Sequence, residues 1–469
     1  MHRRDFLKLA GLSAFSGLSI LGSAPGALLA ADHQSPSPKG IASEAPDFSL
    51  RIAPMKLELA RGRIIATVGY NGTAPGPLLR VKEGQRVTID VRNHTDVPEL
   101  VHWHGLKIPS DVDGAMEEGT PMIRSGSAAR YTFIAGPSGT RWYHTHAIAG
   151  KDLRRSLYSG QYGFFYIEPK SEPGNYDHEV FIAMHHWQPH FVSMQDFKKG
   201  PPPNNGLEVM YRSASFNDKA LGHGEPIRVM AGQRVLFRIL NASATDEVSI
   251  ALPRHAFTVV ALDGNPVRSP QSLAVLTLAP AERVDAVVEM NQPGIWIFGS
   301  TDDDERAMGM GVIVEYAGQR GEPRWSKPQG ANWDYMVFGN TAATPEPDHQ
   351  FPLVFEKIPG GRGGFNRWTI NGKSFPNIDP LPVQAGRRYR LVLQNKSGDA
   401  HPIHLHRHTF EITKFKDLRT SSVFKDVINV PRYQSAEIDF VADDPGLTLF
   451  HCHMQLHQDF GFMTLVKYV

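Results

Sequence analysis

The chain has 469 residues, 41% hydrophobic and 21% charged, which is typical of a soluble globular protein and too long for one ordinary domain. A formal net charge of +1 gives no reason to expect nucleic acid or an anionic membrane surface as a partner. The 43 glycines, 35 prolines and short apolar runs rich in Val, Ile and Phe predict an all-β chain of many short strands. The single cysteine excludes an internal disulfide.

The N-terminus has the features of an export signal. Residues 2–8 contain paired arginines followed by Phe-Leu-Lys, and a small-residue apolar run then continues to about Ala30-Ala31. This pattern is typical of a twin-arginine (Tat) signal peptide, predicted over residues 1–31; an amphipathic N-terminal helix is the alternative. A flexible leader is predicted over residues 32–46. No later segment approaches the roughly 20 apolar residues that span a membrane. The expected mature protein is therefore exported by the Tat machinery to the periplasm or the medium, with no membrane anchor.

Two sequence patterns recur in each third of the remaining chain. The first is a Val-x-x-Gly-x-Arg segment before an alternating strand that ends in Asn, and the second is a glycine followed by an aromatic-rich strand. The first starts at Val81, Val229 and Val383, and the second at Gly139, Gly294 and Gly446. Three units of short alternating strands predict three β-sandwich domains. The predicted bounds are 47–169, 170–316 and 351–469, with a linker over 317–350.

The histidines are distributed unequally among these units. The two outer units carry four His-x-His pairs, whereas the middle unit has Ile250, Leu252, Gly299 and Thr301 at the corresponding positions. The pairs are His102 and His104, His144 and His146, His404 and His406, and His451 and His453. Residues i and i+2 share one face of a strand, so each pair can bind metal from one direction. If the outer domains pack together, eight imidazoles converge on one interdomain pocket, enough for three metal ions.

Cys452 stands between His451 and His453 and would point to the opposite face of their strand. His401 and His457 are its expected partners. His457 lies five residues after Cys452, and His401 lies three residues before His404, at the end of the corresponding strand. Two imidazoles and a thiolate form the trigonal site of blue copper. Zinc is the alternative metal, but zinc sites are usually four-coordinate and would not need this surplus of paired imidazoles.

Four motifs resemble those of three-domain multicopper oxidases of the laccase and bacterial copper-oxidase kind. They are His102-Trp103-His104-Gly105, Trp142-Tyr143-His144-Thr145-His146, His401-Pro402-Ile403-His404-Leu405-His406 and His451-Cys452-His453-Met454-Gln455-Leu456-His457. The resemblance implies cupredoxin-like Greek-key β-sandwich domains, four copper ions, and dioxygen and a small reducing substrate as partners. It also implies a type 1 site at His401, Cys452 and His457, a type 2 pair at His102 and His404, and type 3 ligands at His104, His144, His146, His406, His451 and His453.

The resemblance further implies one-electron oxidation of the substrate at the type 1 copper and reduction of dioxygen to water at the trinuclear cluster. Cys452 would pass each electron through its own backbone to His451 and His453. Reduction to water also consumes protons, and Asp113 matches the family's acid in the role of relay. The alternative for Asp113 is an exposed loop carboxylate.

The sequence departs from the family pattern in four respects. Phe462 stands where many bacterial members have an axial methionine, which favours a higher redox potential because Phe cannot ligate. The adjacent Met463 should point the other way on a strand, unless a bulge reverses it. Arg407 replaces a glycine after the third motif, and Gln458 replaces a glutamate that assists proton transfer in some relatives. No methionine-rich insertion is present, so copper detoxification is less favoured.

Other chemically interesting residues have simpler predicted roles. His185, His186 and His190 could bind an extra metal, but adjacent histidines on a strand diverge, so a surface or turn role is predicted. The acidic run 302–305 is predicted to be a solvated loop, and Met308 and Met310 are predicted to fill core or loop space.

Three functions are compatible with the sequence. The first is an exported copper-dependent oxidase of phenols or aromatic amines. The second is a metallo-oxidase for Cu(I) or Fe(II), which needs acidic or methionine side chains beside the type 1 site. The third is a copper-free structural relative, although such proteins have lost the ligands that are retained here.

Overall fold

The structure is a computed structural model that describes residues 45–171, 174–193, 206–329, 333–361 and 363–469. The predicted signal peptide and almost all of the predicted leader lie outside these residues. Residues 46–469 form one compact unit. Within the described ranges, no helix has both the length and the apolar character needed to cross a membrane.

Short strands dominate the described residues. The first third has β1 (Phe48–Ala60), β2 (Arg63–Tyr70), β3 (Leu79–Lys82), β4 (Arg86–Asn93), β5 (Val101–His104), β6 (Ala128–Ile134), β7 (Gly139–Thr145) and β8 (Tyr162–Glu168). The middle third has β9 (His178–Trp187), β10 (His190–Ser193), β11 (Leu207–Met210), β12 (Ser213–Phe216), β13 (Ile227–Val229), β14 (Arg234–Asn241), β15 (Val248–Ala251), β16 (Phe257–Leu262), β17 (Asn265–Leu273), β18 (Leu276–Leu278), β19 (Arg283–Glu289), β20 (Ile295–Ser300) and β21 (Gly311–Tyr316).

The last third has β22 (His349–Ile358), β23 (Arg367–Ile370), β24 (Leu381–Val383), β25 (Arg388–Asn395), β26 (His401–Leu405), β27 (Phe410–Phe415), β28 (Leu418–Lys425), β29 (Val427–Val430), β30 (Ser435–Val441), β31 (Leu447–Cys452) and β32 (Met463–Tyr468). The helices of the described residues are α1 (Asp303–Met308) and α2 (Gln455–Asp459), with 3-10 turns at Met116–Glu118, Ser156–Tyr158 and Tyr335–Phe338.

Each third of the chain builds two sheets from its own strands. The sheet orders are β2-β1-β4-β6 with β3-β8-β7-β5, then β12-β9-β14-β19-β16-β17 with β13-β21-β20-β15-β18, and finally β23-β22-β25-β30-β27-β28 with β24-β32-β31-β26-β29. Strands β10 and β11 form a separate two-stranded ribbon. The predicted all-β fold of three β-sandwich domains is confirmed. The predicted domain bounds, including the linker, stay a prediction.

The recurring glycine and asparagine have clear structural reasons. Gly84, Gly232 and Gly386 have φ of 83°, 89° and 80°, in the left-handed region that only glycine adopts readily, and each precedes a strand. At the other end of one such strand, the buried Asn93 donates its amide to the carbonyls of Val97 and Ile123. Asn241 and Asn395 make the equivalent pairs of bonds in the other two domains. The repeat therefore marks a tight turn and a buried loop anchor.

Two of the minor predictions are wrong. His185 and His186 are not surface residues: residues 182–187 of β9 are buried without alternation, because the strand is covered on both faces. The acidic run is not a loop, because Asp302 accepts from the backbone N–H groups of Asp304 and Glu305 and thereby caps α1. The prediction for the methionines is confirmed, since Met310 lies in the core and Met308 packs against it.

Candidate metal centre

The four His-x-His pairs lie on two pairs of neighbouring strands. In the first domain, His102 on β5 stands opposite His144 on β7, and in the third domain His404 on β26 stands opposite His451 on β31. These strand pairs face each other across the domain interface. The ring of His102 stacks on that of His406 with centroids 3.9 Å apart, and His104 stacks on His404 at 3.8 Å. The structure thus brings all eight predicted imidazoles into one buried cluster.

Several of these imidazoles have ring nitrogens that bind nothing in the protein. Nε2 of His102 and of His404 is buried and has no hydrogen-bond partner, and the same holds for both ring nitrogens of His146 and of His453. A buried polar atom without a partner is costly, so such atoms are candidates for metal coordination. The described residues contain several groups of three ligand atoms close enough to hold one ion, among them the group of His146, His406 and His451.

Burial also sets the protonation state that metal binding requires. It lowers the pKa of seven imidazoles well below the usual value, so that they are neutral at physiological pH: His104, His144, His146, His404, His406, His451 and His453. Neutral imidazole is the form that coordinates metal ions.

Backbone carbonyl groups fix the orientation of four rings. Nδ1 of His102 lies 2.9 Å from the carbonyl oxygen of Asp113, and Nδ1 of His404 lies 2.7 Å from that of Asp426. Nδ1 of His144 and of His451 makes the same kind of contact with the following residue, at 2.8 and 3.0 Å. An Nδ1–H that donates to a carbonyl leaves Nε2 as the metal-binding atom.

Asp113 is fully buried beside the histidine cluster, so the alternative of an exposed loop carboxylate is wrong. Its Oδ2 lies 2.9 Å from Nδ1 of His406 and 3.1 Å from Nδ1 of His102, while Oδ1 has no partner among the described residues. The buried Glu118, which no sequence motif marks, has Oε1 3.4 Å from the same His406 atom and accepts from the N–H of Leu449. Burial raises the pKa of Glu118 well above its usual value.

Cys452 forms a separate site on the other side of β31. Its Sγ lies 3.7 Å from Nδ1 of His401 and 3.5 Å from Nδ1 of His457, and these two nitrogens are 3.1 Å apart. Ligands that stand about 2.0–2.3 Å from one ion are separated by about 3–4 Å, so this triangle has the size of a metal site. Burial lowers the pKa of His401 to about 3 and raises that of the Cys452 thiol. A bound cation would favour the thiolate.

The surroundings of this second site hold its rings in place. Ser397 Oγ lies 2.7 Å from Nε2 of His401, and the indole of Trp368 stacks on His457 at 3.9 Å. The ring of Phe462 packs edge-on against His401, with centroids 4.7 Å apart. Met463 instead packs with Ala115 and Leu449, as strand alternation predicted. The thioether therefore does not face the sulfur–imidazole triangle, and a phenyl ring borders it.

Arg407, the departure after the third motif, clamps two domains together. Its backbone has φ of 60°, the conformation that a glycine would favour at this position. The buried guanidinium donates to the carbonyl oxygens of Ile108 in the first domain and of Asp444, Pro445 and Leu447 in the third. These bonds anchor the segment that leads into β31.

A buried carboxylate follows Gln458, the other departure. Asp459 accepts from the backbone N–H groups of Ala149 and Gly150, at 3.1 and 2.7 Å, and from the side chain of Gln455 at 2.8 Å. Burial raises its pKa to about 7. The acid therefore ties α2 to the first domain.

A buried ion pair between Arg283 of the middle domain and Asp426 of the third domain lies against the histidine cluster. Asp426 Oδ1 lies 3.2 Å from Nε2 of His104, and its carboxylate accepts from both terminal nitrogens of Arg283 at 2.7 and 2.6 Å. Arg141 and Asp263 lie against the same buried pair. Neither residue spacing nor a motif marks Asp426 or Arg283.

Comparison with known proteins gives the family. Three models, each described as multicopper oxidase, match residues 52–172, 185–317 and 354–469. Over 505 residues the chain is 30% identical to the multicopper oxidase MmcO of Mycobacterium tuberculosis, with 100% of this chain and 96% of that protein covered. The chain belongs to the multicopper oxidases.

Solved structures of multicopper oxidases share the fold. One from Pseudomonas thermotolerans has a TM-score of 0.70 and 24% identity, covering 91% of this chain and 100% of that one. A metallo-oxidase from Campylobacter jejuni has a TM-score of 0.71 and 22% identity, covering 91% and 93%. The copper resistance protein A homologue of Pseudomonas syringae pv. tomato is 24% identical over 602 residues, covering 99% of this chain and 98% of that protein. The two solved structures establish the cupredoxin-like fold of the domains.

As a multicopper oxidase, the protein is an oxidoreductase that oxidises a reducing substrate and uses dioxygen as the electron acceptor. The family implies copper, and the residues fit it: buried neutral imidazoles with free ring nitrogens, and one thiol flanked by two more imidazoles.

Proposed function

We propose that the protein holds four copper ions and reduces dioxygen to water with electrons from a small organic reductant of the phenol or aromatic amine type. The supporting observation is the convergence of eight buried imidazoles from two domains beside a separate Cys-His-His triangle. Copper bound at these sites would supply one-electron redox chemistry and reactivity with dioxygen. The proposed ligands are His401, Cys452 and His457 at the type 1 site, His102 and His404 at the type 2 site, and His104, His144, His146, His406, His451 and His453 at the type 3 pair.

The chain itself connects the two sites. Cys452 Sγ belongs to the triangle, while the neighbouring rings of His451 and His453 belong to the cluster on the other face of β31. Covalent bonds of the Cys452 backbone join them, and the carbonyl oxygen of Cys452 also accepts from Nδ1 of His451 at 3.0 Å. We propose this segment as the route by which electrons reach the cluster.

Asp113 is the proposed proton-holding group. Its carboxylate contacts two of the cluster imidazoles through Oδ2, and its buried Oδ1 has no partner among the described residues. An oxygen atom so placed can hold a proton next to the histidines at which dioxygen would be reduced.

A small cavity of about 220 Å³ beside His457 offers a place for the reductant. Glu208, Glu247 and Asp399 supply three carboxylates to its lining, and Met454 supplies a thioether. Lys357 pairs with Glu208 and with Asp399, each at 3.0 Å, so the lining keeps an excess of negative charge. This charge favours cations over neutral phenols. A metallo-oxidase for Fe(II) or Cu(I) is therefore the second candidate function, and its requirement for acidic and methionine groups is met.

Copper loading of the purified protein tests the proposal. We expect about four bound coppers per chain and an intense blue absorption from the Cys452 thiolate, with oxidation of a phenol, Fe(II) and Cu(I) measured in parallel under air. Fewer than about three coppers, or a colourless loaded protein, would contradict the proposed centre. Turnover of the metal ions alone would select the second candidate over the first.

Removing one carboxylate from the cavity should separate the two classes of reductant. Glu247→Gln should raise KM for Fe(II) about fivefold, because one carboxylate that is partly screened by solvent contributes about 1 kcal/mol to the binding of a cation. The same change should leave KM for a neutral phenol within about twofold. Glu225→Gln is the matched control, because that carboxylate is 86% exposed and pairs only with Arg228 in the described residues. Equal changes for both reductants would contradict a charge-selective cavity.

We also propose export by the Tat machinery to the periplasm or medium. This proposal is supported by the paired arginines and the apolar run that follows them, in residues that the structure leaves undescribed.

A further inference from the structure

A second set of metal-binding side chains lies in the middle domain. His186 on β9 is only 1% exposed, and its Nδ1 lies 2.9 Å from Ser243 Oγ. Its Nε2 is buried and has no hydrogen-bond partner among the described residues. The carboxylate oxygen Oε1 of Glu305, on α1, lies 3.6 Å from this nitrogen.

The distance between His186 Nε2 and Glu305 Oε1 fits two ligands of one metal ion better than a hydrogen bond. At 3.6 Å they are too far apart for a hydrogen bond, which requires about 2.7–3.2 Å between nitrogen and oxygen. Two ligands that each stand about 2.1 Å from one tetrahedral ion are separated by about 3.4 Å. The Glu305 carboxylate is also held in place, because its Oε2 accepts from Ser300 Oγ at 2.6 Å. The pair therefore has the spacing of two ligands of one cation.

A second carboxylate adds negative charge to this place. Asp246 lies close to His186, because its backbone N–H donates at 3.3 Å to the same Ser243 Oγ that contacts His186 Nδ1. Burial raises the pKa of Asp246. Across the described ranges, no Lys or Arg lies within ion-pair distance of Asp246, and Glu305 has only His186 as an ionic partner. Both carboxylates thus lack a compensating cation, which is costly for half-buried groups.

We propose that His186 and Glu305 bind one divalent transition-metal ion of the zinc type, next to the additional negative charge of Asp246. Imidazole together with carboxylate oxygen is a donor set that such ions accept, and none of these residues belongs to the copper centre. The ion would bridge β9 and α1 next to the segment 243–247, whose Ser243 contacts His186. Thr245 and Glu247 of that segment line the cavity beside His457, so the ion would also brace one wall of the reductant cavity.

Zinc titration of the copper-loaded, full-length protein tests this site, because copper already occupies the other candidate ligands. We expect one equivalent of Zn²⁺ to bind, measured by calorimetry and by elemental analysis after dialysis. His186→Gln and Glu305→Gln should each weaken binding by at least about tenfold. Asp303→Asn on the same helix is the matched control, because its side chain is 89% exposed.

The blue absorption of each variant shows that the fold and the copper centre are intact. Gln has almost the size and shape of Glu305, whose side chain is 18% exposed. Equal zinc binding by the wild type and both Gln variants would overturn the proposal, as would the absence of any zinc binding by the wild type. Nitrogen NMR that finds the His186 ring still metal-free after zinc addition would also overturn it.

Discussion

Cys452→Ser should abolish the blue absorption and lower the rate of reductant oxidation by at least about 100-fold. Loss of a residue that only orients a ligand costs 10–100-fold, and Cys452 Sγ is itself one corner of the triangle with His401 and His457. Serine places a hard oxygen where a soft thiolate stabilises copper. Absorption spectroscopy and steady-state oxidation of a phenol and of Fe(II) measure the two effects.

The same variant should keep most of the remaining copper, because the eight cluster histidines lie on the other side of β31. Elemental analysis should show the loss of about one copper per chain. Thr448→Ser on the same buried strand is the control; it keeps the hydroxyl that accepts from Arg407 and should remain blue and active. Full turnover by the Cys452→Ser protein would refute the proposed electron route.

The histidine cluster could be predicted because its geometry is local. In an extended strand, alternation alone decides that His451 and His453 share one face and that Cys452 takes the other. The repeat then places equivalent His-x-His pairs at equivalent strands of the two outer domains. Only the packing of the two domains against each other had to be assumed.

The charged support of the cluster could not be predicted because it depends on contacts between distant parts of the chain. His104 and Asp426 are separated by 322 residues, and Arg283 reaches Asp426 from a domain that contributes no histidine to the cluster. No sequence period encodes which side chains of three domains meet at their common interface. The same limitation explains the error at His186: the prediction assumed that one face of β9 meets solvent, and tertiary packing covers both faces.

Arg283→Met should lower the free energy of unfolding by about 3–5 kcal/mol, the usual cost of removing one partner from a buried ion pair. Both side chains of the Arg283–Asp426 pair are at most 1% exposed, and the two bonds between them are 2.7 and 2.6 Å long. Methionine fills similar space but leaves the Asp426 carboxylate without its main cation. Because Asp426 also contacts His104, the variant should take up copper less completely. Denaturant unfolding of the metal-free protein and copper analysis after loading measure the two effects.

Two further variants separate a specific ion pair from general damage to the interface. Arg154→Met removes a guanidinium that is 87% exposed and paired with Asp152, and such surface pairs contribute at most about 1 kcal/mol. Asp426→Asn combined with Arg283→Met removes both charges of the buried pair. The double variant should lose at least about 1 kcal/mol less stability than the sum of the two single losses, because neither charge is left unpaired by the other's removal. Strict additivity, or an Arg283→Met effect no larger than that of Arg154→Met, would show that the middle domain does not support the copper centre through this pair.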